Sequence, residues 1–311
     1  MPEGLVIKST GKNYDVRTPE GRIIQCQVRG KIRLEGRSTT NPVAAGDIVD
    51  YAQENESEGN ITFIHPRKNY IIRKSVNLSK EAQIIATNLD RAILVVTTTR
   101  PQTTPGFIDR FLITADAYDI PAVLLFHKID QYNEKEREEM LSLAEVYQRI
   151  GYPCIFSSLV TGEGLDEMKA LIANKITLIS GHSATGKSSL VNHFIPGKEL
   201  RIGEVSESSN KGQHTTTFAE MHEIPFGGYL VDTPGIKGFG LVDIPKDELH
   251  HHFIEFFELL PNCKYHNCLH LNEPGCAVRK ALEAGDVAPS RYNSYVSMYN
   301  DEEERSVYRN G

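Results

Sequence analysis

The sequence predicts a multidomain α/β protein in three parts: a small N-terminal β-barrel, a doubly wound α/β domain and a C-terminal helical module built around a metal. Three observations carry that expectation. Gly181-His-Ser-Ala-Thr-Gly-Lys-Ser188 fits G-x-x-x-x-G-K-[ST] and follows the apolar run Ile176–Ile179, the pattern of a glycine-rich turn between a buried strand and a helix N-terminus. Ala92–Val96 and Ala122–Phe126 are almost wholly apolar, as strands buried on both faces of a parallel sheet are. Cys263, Cys268 and Cys276 fall within fourteen residues, with His266 and His270 among them.

A chain of 311 residues is long enough for two or three domains with proper cores. It contains no stretch of about eighteen apolar residues and starts Met-Pro-Glu-Gly, so neither a membrane span nor a signal sequence is expected. A cytoplasmic, monomeric protein follows as the expectation. Five cysteines, an odd number, argue against a disulfide framework. The net charge of −7 gives no global sign of nucleic-acid binding, so such a role must rest on local patches.

Residues 1–67 read as short strands punctuated by glycines: Gly4–Ile7, Asn13–Val16, Ile23–Val28 and Asp47–Tyr51. That pattern suggests a small barrel, with the OB-fold leading. Arg29, Lys31, Arg33 and Arg37 form a basic run suited to RNA phosphates. His65–Asn69 reads as a linker. Residues 68–244 then alternate strands with helices, at Gly106–Thr114, about 135–151, and Gly164–Ile172, which specifies a doubly wound sheet with ligands at the strand carboxyl ends. From 245 to 311 the pattern is helical, including one helix over Leu249–Leu260 whose His250, His251 and His252 are read as surface residues.

The phosphate loop, Gly181, His182, Ser183, Ala184, Thr185, Gly186, Lys187, Ser188 and Ser189, can wrap its N–H groups around the phosphates of a nucleotide. Lys187 would reach the β/γ-phosphates and the Ser188 hydroxyl would hold Mg²⁺. Asp232-x-Pro-Gly235 follows a second buried strand; its acid suits the Mg²⁺ shell and its glycine N–H the γ-phosphate. Thr215 or Thr216, in Gly212-Gln-His-Thr-Thr-Thr217, completes the metal sphere, and the residues alone do not decide which. His127-Lys128-Ile-Asp130 resembles the guanine-reading motif N-K-x-D, with Ser157-Ser158 as the loop that backs the base. An aspartate there accepts both the N1–H and 2-amino protons of guanine, which adenine does not offer.

These are the motifs of Ras-like GTPases in a circularly permuted order: base-reading, base-backing, phosphate loop, switch I, switch II. With a barrel before and a Cys/His cluster after, the chain resembles the RsgA (YjeQ) family over nearly its full length. The resemblance implies an OB-fold RNA-binding domain, a permuted P-loop GTPase domain and a zinc domain. It also implies binding to the small ribosomal subunit and its rRNA late in maturation, with hydrolysis of GTP to GDP stimulated by the ribosome. The family spacing C-x4-C-x-H-x5-C selects Cys263, Cys268, His270 and Cys276 as one structural Zn²⁺ site. Two departures stand out: His127 replaces the family's Asn, and Ile236 replaces the water-orienting Gln of Ras-like enzymes, a position that is also hydrophobic in the family. With no polar group at 236, His214 is the internal candidate for positioning the attacking water. Rival readings are a nucleotide-gated rRNA-binding module with negligible catalysis, or a broad NTPase made thinkable by His127. The permutation also hangs the metal module directly from switch II, so contacts at Gly235 are expected to reorient that module by a hinge.

Overall fold

The computed structural model describes residues 1–28, 42–74, 82–197, 220–232 and 244–307. The basic run from Arg29 to Arg37, the segment holding His214, Thr215 and Thr216, and Gly235 lie outside the described residues.

Strands β1 (Glu3–Ser9), β2 (Tyr14–Arg17), β3 (Ile23–Val28), β4 (Ile48–Gln53) and β5 (Glu58–Ile64) form the N-terminal barrel. It runs β1-β2-β3-β5-β4 and closes where β4 pairs back onto β1, Glu3 opposite Asp50. Alternate residues point inward, and Val6, Tyr14, Val16, Ile24, Cys26, Val49, Tyr51 and Ile61 fill the interior, as the period of two requires.

The expected linker is bolted down. Arg67, after β5, grips the fully buried Asp47 with Nε–Oδ1 at 2.7 Å and Nη2–Oδ2 at 2.6 Å. Strands β6 (Tyr70–Lys74) and β7 (Ala82–Thr87) pair as a separate two-stranded sheet. Sequence periodicity did not reveal them, because each is short and carries polar residues.

The central domain contains β8 (Arg91–Val96), α1 (Pro105–Ala117), β9 (Ala122–His127), α2 (Glu134–Arg149), β10 (Cys154–Ser157), α3 (Leu165–Ile172), β11 (Ile176–Gly181), α4 (Lys187–Phe194), β12 (Glu220–Glu223) and β13 (Tyr229–Asp232). Strand order is β10-β9-β8-β11-β13-β12, parallel except for β12. The apolar run of β8 divides between two cores. Leu94 and Val96 face α1 and α2, with Ile108, Phe111 and Tyr147, whereas Ile93 and Val95 face α3 and α4, with Met168, Leu190 and Val191. Strand β1 pairs with β12 at Lys8 and Glu220, so barrel and central domain share one continuous sheet.

In the C-terminal part the single helix expected over Leu249–Leu260 is broken. A 3-10 turn covers Leu249–His252, α5 covers Ile254–Leu259, and a second 3-10 turn covers Leu260–Asn262. Phe253 between them is extended. The break turns His250 inward, 3% exposed with its ring centroid 5.1 Å from that of His270, so His250 is not a surface residue. Helices α6 (Ala277–Ala284) and α7 (Pro289–Val307) follow. Ile113 of α1 packs in the same core as Phe253, Phe256 and Tyr295. Among the described residues no helix is long and apolar enough to cross a membrane.

Candidate nucleotide site and metal centre

Parallel strands deliver the predicted site residues to one edge of the sheet. His127 ends β9 beside Ser157, its register partner at the end of β10, Gly181 ends β11, and Asp232 ends β13. Loops leaving these carboxyl ends converge in the crevice where doubly wound folds bind ligands.

The phosphate loop between β11 and α4 has the tight geometry its glycines permit. Gly186 has φ +99°, and a Cβ there would lie 2.7 Å from Cδ2 of His127. Gly181 has φ +145°, and a Cβ would meet the Val95 carbonyl at 2.7 Å. Ala184 also sits in the left-handed region, at φ +64°, a conformation that costs an alanine about 1–2 kcal/mol. Thr185, fully buried, donates its hydroxyl to the His182 carbonyl at 2.9 Å and pins the turn. The Lys187 ammonium donates to the Gly181 carbonyl at 2.7 Å and to that of His182. Ser183 and Ala184 are exposed, and Ser188 and Ser189 are half-buried at the start of α4.

The base-reading loop is tied to the phosphate loop at two points. Lys128, itself left-handed at φ +61°, donates from Nζ to the Ala184 carbonyl at 2.7 Å. His127, 2% exposed, lies against Gly186 and places Nδ1 2.8 Å from the Ser157 hydroxyl. Burial, reinforced by the nearby Lys128 charge, lowers its pKa to about 4, so the imidazole is neutral at physiological pH. Asp130 is exposed and accepts a 2.5 Å hydrogen bond from the Ser158 hydroxyl, which in turn accepts from the backbone N–H groups of Val160 and Thr161. A carboxylate so held is fixed in direction, and one bond to Oδ1 leaves acceptor sites on both oxygens, which suits bidentate recognition of paired N–H donors. One neighbour escaped the sequence reading: the Phe107 ring of α1 lies over His182 with centroids 3.9 Å apart. No local pattern marks it, because the contact joins positions 75 residues apart in the chain.

The profile of the RsgA GTPase family matches residues 64–242, and that of the RsgA N-terminal domain matches residues 3–61. The chain belongs to the RsgA family of GTPases. Small ribosomal subunit biogenesis GTPase RsgA of Flavobacterium psychrophilum is 50% identical over 304 residues, covering 97% of this chain and 93% of the relative. The RsgA of Bacteroides fragilis is 50% identical over 302 residues, with 97% of both chains covered. Among solved structures, YjeQ from Thermotoga maritima matches with a TM-score of 0.79 at 35% identity, over 96% of this chain and 98% of that one. YloQ, a circularly permuted GTPase, matches with a TM-score of 0.76 at 29% identity, over 98% and 96%. The chain is thus a GTP-hydrolysing enzyme with a permuted GTPase fold.

In the C-terminal part of the chain, Cys263, Cys268, His270 and Cys276 bring one donor atom each into a group whose members all lie within 4.8 Å of one another. His270 Nδ1 is 3.7 Å from the Cys263 sulfur and 3.4 Å from that of Cys276. His266 is exposed and stands outside the group. The surroundings fit a metal. Backbone N–H groups of Ala277 and Arg279 point at the sulfurs of Cys263 and Cys276, at 3.3 and 3.4 Å, as thiolates favour. Burial pushes the Cys268 thiol up to about 12, a group that a bound cation would have to deprotonate. The loop is braced from α7, where Tyr295 and Tyr292 donate to the Leu269 and His270 carbonyls at 2.6 and 2.8 Å. Such a closed Cys3His set can hold one tetrahedral ion and leaves no open position. Cys26 and Cys154 are free thiols in strands away from it; Cys26 is buried in the barrel interior as expected, whereas Cys154 is half-buried at the margin of the central core.

Proposed function

We propose that this protein binds the small ribosomal subunit and its rRNA, and hydrolyses GTP to GDP and phosphate during late subunit maturation, with the subunit raising the rate. The observation that carries the reading is the double tie between base loop and phosphate loop: Lys128 on the Ala184 carbonyl and His127 against Gly186. Base identity and phosphate grip are thereby set in one rigid unit, as a guanine-specific switch requires. Asp130 selects guanine, Ser157 and Ser158 back the base, and Gly181–Ser189 cradle the phosphates, with Lys187 leaving its loop carbonyls for the β/γ-phosphates. Mg²⁺, when bound, neutralises phosphate charge; Ser188, Thr215 or Thr216, and Asp232 are the residues to hold it. Gly235 meets the γ-phosphate, and His214 positions the attacking water. The domains run 1–67, 68–244 and 245–311, and the last holds one structural Zn²⁺. Arg29, Lys31, Arg33 and Arg37 of the barrel contact rRNA phosphates. The protein works as a cytoplasmic monomer with no membrane partner.

Cosedimentation with isolated small subunits tests the reading, expected to be strong with a non-hydrolysable GTP analogue and weak with GDP. Turnover in the same mixtures separates an enzyme from a binding module, since a module shows no stimulation. ATP competing equally with GTP would sink the Asp130 assignment, and unchanged subunit-stimulated hydrolysis in His214→Ala would sink that of His214.

A further inference from the structure

Helix α1 touches both functional centres. On one side Phe107, in its first turn, stacks on His182 of the phosphate loop. Two residues on, Asp109 points the other way and is 0% exposed. Its Oδ1 accepts from Arg291 Nη1 of α7 at 2.8 Å and from the Tyr147 hydroxyl of α2 at 3.0 Å. The Arg291 guanidinium, 1% exposed, also spans both oxygens of Glu255 in α5, at 2.7 and 2.9 Å, and lies over the Phe253 ring with its central carbon 4.6 Å from the centroid. Bidentate pairing and a ring beneath fix the guanidinium in one orientation. Ile113, a turn further along α1, completes the contact from inside the C-terminal core.

A swing of the C-terminal module about residues 233–243 alone would have to pull this buried pairing apart and leave charges unpaired in an apolar wall. A helix moves as a rigid body, and residues 107 and 109 are about 3 Å apart along its axis. Any shift of His182 on nucleotide binding that displaces Phe107 therefore displaces Asp109 and, through Arg291, α5 and α7. Helix α7 in turn carries Tyr292 and Tyr295, which hold the metal loop.

We propose that α1 couples the phosphate loop to the C-terminal metal module, with Phe107 and Arg291 as the positioning residues on its two sides. The inference rests on the nucleotide reading above and adds a route by which contact with the subunit at one end is felt at the other. Coupling of this kind is reciprocal.

Hydrogen exchange on the full-length, zinc-loaded protein, with and without a non-hydrolysable GTP analogue and Mg²⁺, tests it. In the wild type the analogue is expected to slow exchange in both 181–194 and 289–300, by about tenfold, the size of an ordinary coupling between sites. In Phe107→Ala and Phe107→Leu the slowing over 181–194 stays and that over 289–300 disappears. Arg291→Lys, which keeps the charge but loses the two-oxygen grip, shows the same split, with zinc content reporting that it is folded. Slowing of 289–300 that survives in all three variants overturns the route, as does a wild type in which only 181–194 responds. If the analogue leaves 181–194 unaffected in the wild type, the nucleotide assignment of the site is what fails, and this inference goes with it.

Discussion

His127 Nδ1 and the Ser157 hydroxyl meet at 2.8 Å where β9 and β10 end side by side. The contact joins the loop after β9 to the loop after β10, and the far side of the same ring lies against Gly186, between β11 and α4. One imidazole thus bears on three loops at this end of the sheet.

That buried ring predicts a pH dependence. An unfolded histidine titrates near its ordinary value of 6.5, whereas burial holds His127 at about 4. Above pH 6.5 both states are neutral and the ring has no effect. As pH falls from 6.5 toward 4 the unfolded chain takes up the proton and the folded one does not, so stability declines, by about 3 kcal/mol in full. His250 and His270 are held at about 4 in the same way, so His127→Asn should make that limb shallower by its own share. Chemical denaturation at pH 7 and pH 4.5 measures it, and an equally steep loss in the variant would show that the slope comes from elsewhere.

Ala184→Gly addresses the strain in the phosphate loop. Relief of the left-handed alanine gains about 1–2 kcal/mol, of which roughly 0.5–1 is returned through the freer unfolded glycine. A net stabilisation of about 0–1.5 kcal/mol is expected, read as a melting-temperature rise of at most about 6 °C. Since the Lys128 bond is to the backbone carbonyl, the substitution leaves it in place. A lower melting temperature would show that the alanine methyl makes a contact worth more than its strain.

Much of this was legible in the sequence because burial and special backbone leave strong traces. Uninterrupted apolar runs marked β8 and β9 as interior strands, and each has five buried residues in succession. Glycines 181 and 186 stand where φ is positive and a Cβ would collide. The Cys/His cluster was visible as a concentration of donors, but the choice of His270 over His266 came from the family resemblance, and the four donors so chosen do stand together. What stayed hidden depends on contacts distant in the chain. Strands β6, β7 and β12 are short and gain their stability from pairing rather than from pattern. Nothing near Phe253 announced a break in the helix, which is imposed by packing of Phe253 and Phe256 against Tyr295. Arg291 reads as an ordinary helix-surface residue until Asp109 and Glu255 are seen facing it.

Removal of metal should unravel the C-terminal part before the rest. Cys268 and Cys276 sit in the C-terminal core with Phe253, Phe256 and Tyr295, so the cluster ties that core together, and a closed zinc site contributes folding energy of about 10 kcal/mol or more at neutral pH. Treatment with a chelator is expected to lower the melting temperature, and Cys276→Ser to reproduce this while dropping bound zinc from one ion per chain toward none. Unchanged melting after the zinc has been stripped would mean that the cluster has no structural part.

The joint between barrel and central domain offers a sharper test, because Asp47 has every oxygen engaged. Besides the two bonds from Arg67, its Oδ1 accepts from the Thr87 hydroxyl at 2.9 Å and its Oδ2 from the Ala44 N–H at 2.8 Å. Thr87 ends β7 and Ala44 precedes β4, so one carboxylate joins the barrel to the hairpin beyond it. Asp47→Ala leaves the Arg67 guanidinium, 14% exposed, without a counter-charge, and removing one partner of such a pair costs about 3–5 kcal/mol. Asp47→Asn keeps the shape and some acceptors but loses the charge, and should cost less. Urea denaturation orders the two variants. If Ala proved no worse than Asn, the charge pair with Arg67 would not be what holds the joint.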